Sequence, residues 1–135
     1  MKDRSKEFIR SSFKEMEPDM KTIVNGFYNR LFEVKPAYKD MFKMEIDKQT
    51  EKFIHMIGLG VRGLDNEVEL VPALSFLGRN HRTYGVKDED YPVVKEALLY
   101  SMKENLKDKY NEEFEKCWGE FYDYLAGVMM KSANR

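Results

Sequence analysis

The sequence predicts an all-α fold with about seven helices in one domain. Apolar residues recur at spacings of three and four along most of the 135-residue chain, whereas the period-two alternation that marks strands is rare. Each of the four prolines precedes such an apolar stretch. A proline is tolerated in the first turn of a helix because the missing N–H would lack a partner there anyway. One domain follows from the length, since a single core usually serves about 100–150 residues.

The first half of the chain is expected to hold four helices. They span about residues 4–16, 19–34 and 47–63, with a short helix between Pro36 and Phe42. The stripes that would face the core are Phe8, Ile9, Ser12, Phe13 and Met16 in the first helix, Ile23, Phe27, Tyr28, Leu31 and Phe32 in the second, and Phe53, Ile54, Met56, Ile57, Leu59, Val61 and Leu64 in the last.

The second half is expected to hold three helices, at about residues 68–84, 91–108 and 111–132. Their stripes are Leu70, Leu74, Leu77 and His81, then Val94, Ala97, Leu98, Ser101, Met102 and Leu106, and finally Phe114, Trp118, Phe121, Tyr122, Leu125 and Met129. No repeat, low-complexity tract or long linker separates the helices, so residues 1–135 are expected to form one domain.

The composition argues against several classes of function. Lys and Arg total 23 against 24 Asp and Glu, so there is no basic excess for nucleic acid. A single cysteine, Cys117, excludes an internal disulfide and a cysteine-based zinc site. His55 and His81 do not form the His-Glu-x-x-His pattern of zinc hydrolases. We expect a cytoplasmic protein, because the chain shows neither a signal peptide nor an apolar run of about 18–20 residues.

His81 is the most informative single residue. Leu74, Leu77 and His81 follow one another at spacings of three and four, so an apolar helix face ends in an imidazole. Two interpretations are open at this point. The ring could be a core histidine that bonds a backbone carbonyl. It could also be the axial ligand of a haem iron, a group that needs one strong nitrogen ligand and an apolar slot.

Several segments resemble globins, in order and at compatible spacings. Residues 77–86, around His81, resemble the proximal-histidine segment, and residues 91–99 resemble the helix start that follows it in bacterial haemoglobins and neuroglobin-like globins. The similar segments upstream and downstream are Phe27–Phe32 with Lys35-Pro36 and Met41-Phe42, Gln49–Asn66, and Trp118-Gly119 with Tyr122. The resemblance covers nearly the whole chain. It implies a globin fold around a haem b whose iron is held by His81.

The resemblance also implies a set of pocket residues. Those it places around the haem are Phe42, Lys52, Phe53, Val86, Tyr91, Val94 and Leu98. Phe42 would stack on the porphyrin, although ordinary core packing would give the same sequence. Lys52 would pair with a haem propionate, or it is one more solvated lysine.

On the distal side the resemblance implies two hydrogen-bond donors. Tyr28 and Gln49 fall where bacterial haemoglobins keep a tyrosine and a glutamine that bind a polarised O₂. The alternatives are that the Tyr28 hydroxyl meets a backbone carbonyl or solvent, and that Gln49 is merely exposed. Phe53, one helical turn after Gln49, stands where the family more often has an aliphatic residue, and it would crowd the sixth coordination site.

The proximal side departs from the family pattern at one position. Bacterial haemoglobins often orient the ligating histidine through a tyrosine and a glutamate. Tyr91 fits the tyrosine, but the glutamate position falls on Ala133. His81 is therefore expected to be a neutral imidazole, which argues against strong peroxidase-like or NO-oxidising chemistry. His55 is expected to point away from the iron, and Cys117 to be a small core residue.

One motif points elsewhere. Residues 58–63 read Gly-x-Gly-x-x-Gly, the pattern of a dinucleotide-binding turn. That turn needs a strand before it and parallel strands after it, whereas the rest of the chain offers helical stripes. We expect these glycines to let two helices pack closely instead.

These observations predict a haem globin that reversibly binds O₂, and also NO or CO. Its expected role is oxygen storage or transport, or NO detoxification as a dioxygenase that depends on a separate reductase. The alternatives are a haem-based gas sensor and a haem-free helical signalling or structural module. We expect a monomer or homodimer that binds neither nucleic acid nor membrane.

Overall fold

The computed structural model describes residues 1–42 and 45–133, of which Ala133 is described by its backbone alone. No strand occurs in this part of the chain. Its α-helices are α1 (Asp3–Met16), α2 (Met20–Val34), α3 (Ile46–Arg62), α4 (Glu67–Thr83), α5 (Asp90–Leu106) and α6 (Glu112–Ala133). Short 3₁₀ helices occupy Glu17–Asp19, Pro36–Met41, Gly63–Asp65 and Lys107–Lys109. The all-α prediction of about seven helices is confirmed, with the short helix after Pro36 formed as a 3₁₀ helix.

The core is organised around two helix pairs, α4 with α6 and α2 with α5. The helices α1 and α3 pack against these pairs, α1 on α6 and α3 on α2. Trp118 of α6 is among the largest fully buried side chains. Its indole N–H donates to the Ser12 hydroxyl of α1 at 2.9 Å, so the polar edge of the ring is satisfied inside the core.

Glycines allow α4 and α3 to approach α6 closely. A side chain at Gly78 of α4 would collide with the backbone carbonyl of Met129 in α6. Gly60 of α3 faces Phe121 and Leu125 of α6, and an added Cβ would lie 3.0 Å from the Phe121 ring. The glycine-rich segment 58–63 is thus helical from α3 into the following 3₁₀ turn. The expectation that its glycines serve helix packing is confirmed at Gly60.

The prediction for one of the four prolines was wrong. Pro18, Pro36 and Pro92 lie in first turns, but Pro72 lies inside α4, which begins at Glu67. Pro72 falls beyond the first turn because Leu70, two residues before it, already belongs to the buried stripe and packs against Gly63. Pro72 has no N–H to give to the carbonyl of Val68. Because Val68 is 86% exposed, water can satisfy that carbonyl instead.

No helix in the described ranges is long and apolar enough to span a bilayer.

Candidate functional site

His81 lies in the last turn of α4 and is half-buried. Its Nδ1 lies 2.6 Å from the carbonyl oxygen of Leu77, one helical turn back. A carbonyl only accepts hydrogen bonds, so Nδ1 carries the proton and Nε2 carries the lone pair. Nε2 makes no hydrogen bond to any described residue. The backbone carbonyl therefore satisfies Nδ1. It leaves Nε2 as a neutral nitrogen whose lone pair can bind a metal ion.

The chain turns sharply directly after His81. Gly85 has a φ of 95°, a backbone conformation that favours glycine. The Val86 N–H donates to the His81 carbonyl at 2.9 Å, and the Gly85 N–H donates to the Arg82 carbonyl at 3.0 Å. These two bonds form a Schellman motif, which closes the end of α4. The motif holds the half-buried Val86 beside the backbone of His81.

The beginning of α5 adds a second wall. Tyr91, Val94 and Leu98 share one face of this helix at spacings of three and four, and they are buried or half-buried. Burial, with the nearby charges of Asp88 and Asp90, raises the pKa of Tyr91. The hydroxyl of Tyr91 has no hydrogen bond among the described residues. Its backbone carbonyl accepts a bond of 2.6 Å from the Tyr122 hydroxyl, which ties α5 to α6.

Tyr28 of α2 lies at the centre of an aromatic cluster. Its ring centroid is 4.9 Å from that of Phe27, 6.0 Å from Phe32, 5.4 Å from Phe42 and 6.1 Å from Phe53. Phe27 and Phe53 stack on each other at 4.8 Å, which joins α2 to α3. We call these five residues the distal cluster. The sequence predicts Tyr28, Phe42 and Phe53 as pocket residues. It indicates Phe27 and Phe32 only as core stripe, although Phe27 is next to Tyr28 and Phe32 lies one helical turn after it.

Tyr28 contacts the backbone of Gln49, which is the alternative that the sequence left open for its hydroxyl. The Tyr28 hydroxyl donates to the backbone carbonyl of Gln49 over 3.4 Å, a long hydrogen bond. Burial raises the pKa of Tyr28 strongly, and the nearby Gln49 side chain offsets a smaller part of that rise. The hydroxyl therefore keeps its proton at neutral pH and remains a donor. Gln49 itself is half-buried, not simply exposed.

A cleft of about 400 Å³ opens beside Tyr28. It lies between α2, the 3₁₀ helix after Pro36 and the start of α3, and its lining residues are Tyr28, Asn29, Phe32, Lys39, Phe42, Glu45 and Ile46. Its walls are mainly aromatic near Tyr28, whereas Lys39 and Glu45 supply charge. The cleft thus joins the distal cluster to the protein surface.

The site thus has one imidazole nitrogen available as a ligand at the end of α4, a turn closed by a glycine, and an aromatic cluster around one tyrosine. The family model that matches the chain, over residues 25–129, is Globin. The chain belongs to the globin family.

Relatives of this globin include plant and bacterial proteins. An anaerobic nitrite reductase of Brassica napus is 30% identical, over 92% of this chain and 86% of the relative. A flavohemoprotein of Rhizobium meliloti is 27% identical over 93% of this chain, a match that spans 32% of that longer protein. An engineered carbene transferase from Rhodothermus marinus superposes with a TM-score of 0.89 at 25% identity, over 99% of this chain and 94% of that one.

The remaining candidate residues of the globin occupy different settings. Lys52 is exposed on α3 and forms no ion pair with a described residue. His55 is exposed on the same helix. Cys117 is buried in α6. Ala133 is the last residue of α6, and its side chain lies outside the described part of the structure.

Proposed function

We propose that this globin holds haem b with His81 as the protein ligand of the iron, and that it binds O₂ reversibly for storage or delivery. The observation that carries the proposal is the 2.6 Å hydrogen bond from His81 Nδ1 to the Leu77 carbonyl. This bond fixes the tautomer and orients the ring, so that Nε2 offers its lone pair. One such nitrogen is what an axial position of haem iron requires.

The other residues present fit a flat, mostly apolar group with charged substituents. Phe42, Val86, Val94 and Leu98 supply apolar contact surface. Lys52, exposed and without an ion pair among the described residues, suits a propionate. When bound, the haem would supply an iron atom that takes O₂, NO or CO as a reversible ligand.

The distal cluster prepares a donor for a polar diatomic ligand. Tyr28 is protonated at neutral pH like an ordinary tyrosine, and burial raises the pKa of its hydroxyl further. Its bond to the Gln49 carbonyl is long at 3.4 Å, so that the hydroxyl gives up little when it turns to a stronger acceptor. The phenylalanines around it leave Tyr28 only 3% exposed, and a hydrogen bond is stronger in such surroundings than in water.

The proximal side supports storage or delivery over oxidative chemistry. The partner of His81 Nδ1 is a neutral backbone carbonyl, and no described carboxylate contacts the ring. A carboxylate partner would make the imidazole a stronger electron donor, as in the histidine–carboxylate pairs that tune metal sites. His81 would therefore donate electrons to the iron only moderately. That suits an iron that binds O₂ and releases it unchanged.

A second candidate function is removal of NO with electrons from a separate reductase. The observation that favours it is the match to a flavohemoprotein, in which the region similar to this chain makes up 32% of the length. In this candidate, a second protein of the cell carries out the reductase step. The tyrosine and glutamine of the distal side would serve both functions.

Absorption spectra of the purified protein test the proposal. We expect haem at one equivalent per chain, with ferrous spectra that change on adding O₂ and return when O₂ is removed. A chain that stays colourless after reconstitution with haem would contradict it. Consumption of NO, measured with and without an added flavin reductase and NADH, separates the two functions. Repeated turnover that requires the reductase would favour NO removal.

A further inference from the structure

A buried carboxylate lies at the start of α5, next to Tyr91. Asp90, the first residue of α5, is 5% exposed. The Tyr38 hydroxyl donates to its Oδ1 at 2.6 Å, and the backbone N–H of Lys87 donates to its Oδ2 at 2.8 Å. The Lys35 ammonium lies 3.8 Å from Oδ1. Both oxygens are thus paired, as a buried charge requires.

The partners keep this carboxylate ionised. Burial by itself raises the pKa of Asp90, but the bonds from Tyr38 and the Lys87 backbone, together with the lysine charges, outweigh that effect and hold the pKa below its usual value. The same pairing and burial raise the pKa of Tyr38. The contact is therefore a charge-assisted hydrogen bond between an O–H and a carboxylate, which is a strong type of bond.

The two ends of this bond belong to opposite parts of the candidate site. Tyr38 lies in the 3₁₀ helix Pro36–Met41, which leads directly into Phe42 of the distal cluster. Lys87 follows Val86, whose N–H bonds the His81 carbonyl. A series of hydrogen bonds thus runs from the backbone of His81, through the turn and Asp90, to the segment that carries Phe42.

We propose that Tyr38 and Asp90 are positioning residues for the haem. Their hydrogen bond holds the loop of residues 84–89 against the 3₁₀ helix of residues 36–41, and so keeps the His81 side and the Phe42 side of the pocket together. This inference rests on the proposed function, because it concerns the retention of haem by His81. Neither residue touches the haem in this role.

The rate of haem loss from the Tyr38→Phe variant tests this positioning role. The substitution removes the hydroxyl and keeps the ring, and Tyr110→Phe is the matched control. The Tyr110 hydroxyl also bonds a carboxylate, that of Glu115 at 3.1 Å, but on the exposed side of α6. The acceptor is an excess of a haem-free globin whose haem-bound form has a different absorption spectrum. We expect Tyr38→Phe to lose haem to it about tenfold faster than the wild type. Tyr110→Phe should lose it at the wild-type rate.

Amide hydrogen exchange provides a readout that does not depend on haem. In the haem-free full chain we expect the N–H groups of Val86 and Lys87 to exchange about tenfold faster in Tyr38→Phe, because the loop opens more often. Amides in the middle of α6 should keep their rates. Asp90→Asn is the second variant: its amide has one acceptor oxygen, so it cannot accept from both Tyr38 and Lys87, and the connection between the loop and the 3₁₀ helix should loosen in the same way.

The outcomes separate this inference from the proposed function. Haem loss and loop exchange at wild-type rates in both variants would overturn the positioning role while leaving the haem proposal intact. A uniform rise in exchange across all helices would show a general loss of stability and would also overturn it. A wild-type chain that takes up no haem overturns both proposals.

Discussion

The proximal and distal sides of the candidate pocket are held by different kinds of interaction. His81 is oriented by bonds within its own stretch of chain, to the Leu77 carbonyl and from the Val86 N–H. Tyr28 is held by ring contacts with residues from three separate segments, of which Phe42 and Phe53 are distant in sequence. One side is built locally by the backbone, and the other by tertiary packing.

The difference indicates how each side responds to change. Backbone hydrogen bonds set the direction of a single nitrogen within narrow limits, which suits a ligand to a metal. Ring packing excludes water but leaves a hydroxyl free to rotate, which suits a donor that must meet an arriving molecule. Substitutions on the proximal side should therefore affect haem binding, and those on the distal side should affect ligand release.

The largest effect is expected at the imidazole itself. His81→Ala should abolish stable haem incorporation, because it removes the one nitrogen donor assigned to the iron. The haem-to-protein ratio after purification measures this, and added imidazole should partly restore binding. His55→Ala is the control, since His55 is exposed on α3. Normal haem content in His81→Ala would contradict the assignment.

The next effect concerns the packing that positions α4. Gly78→Ala should lower the free energy of unfolding by about 1–3 kcal/mol, because the methyl group meets the Met129 carbonyl and forces α4 away from α6. Denaturant titration measures the loss. Gly127→Ala, with open space around it in α6, should leave stability unchanged or raise it by about 0.5–1 kcal/mol. Equal midpoints for the two variants would show that the close contact carries no energy.

The distal prediction tests the donor role of Tyr28. Tyr28→Phe should speed O₂ dissociation by roughly ten- to a hundredfold, because a hydrogen bond to a polarised acceptor contributes about 1.5–3 kcal/mol. Stopped-flow displacement by CO gives the rate. Dissociation of CO itself should change less, since CO is a poorer acceptor. Equal changes for both gases would point to altered packing in the distal cluster.

The smallest effect is expected at the turn after His81. Gly85→Ala should cost about 1–2 kcal/mol of folding free energy, because a φ of 95° brings a Cβ close to the backbone. No described atom beyond Gly85 and its two chain neighbours lies within 4 Å of that Cβ, so the cost is local backbone strain alone. Gly85→Asn should lose less, as asparagine tolerates positive φ better. Matching losses for Ala and Asn, again by denaturant titration, would argue against this cause.

Most of the helical architecture follows from local patterns. The apolar spacings predict helix positions to within a few residues, because each amphipathic stripe has one face to bury. The exception is the first-turn position expected for Pro72, which lies inside α4 because the buried Leu70 before it belongs to the same helix. The resemblance to globins implies Tyr28 and Gln49 as two distal donors, and in the structure the Tyr28 hydroxyl bonds the backbone carbonyl of Gln49.

Other parts of the site carry no local signal. Tyr38 and Asp90 are 52 residues apart, and each alone looks like an ordinary turn or helix-start residue. Phe27 and Phe32 look like core stripe in α2. Their place beside Tyr28 depends on where α3 brings Phe53 and where the chain after Pro36 brings Phe42.

The sequence by itself determined the features that neighbouring residues control. Helix stripes, the imidazole at the end of an apolar face and the glycine that turns the chain after it all arise within about two helical turns, where spacing dictates which groups meet. Only the tertiary structure decided the aromatic cluster around Tyr28 and the burial of Asp90 against Tyr38. These depend on how helices from distant parts of the chain cross, and that arrangement is selected by the packing of the whole core.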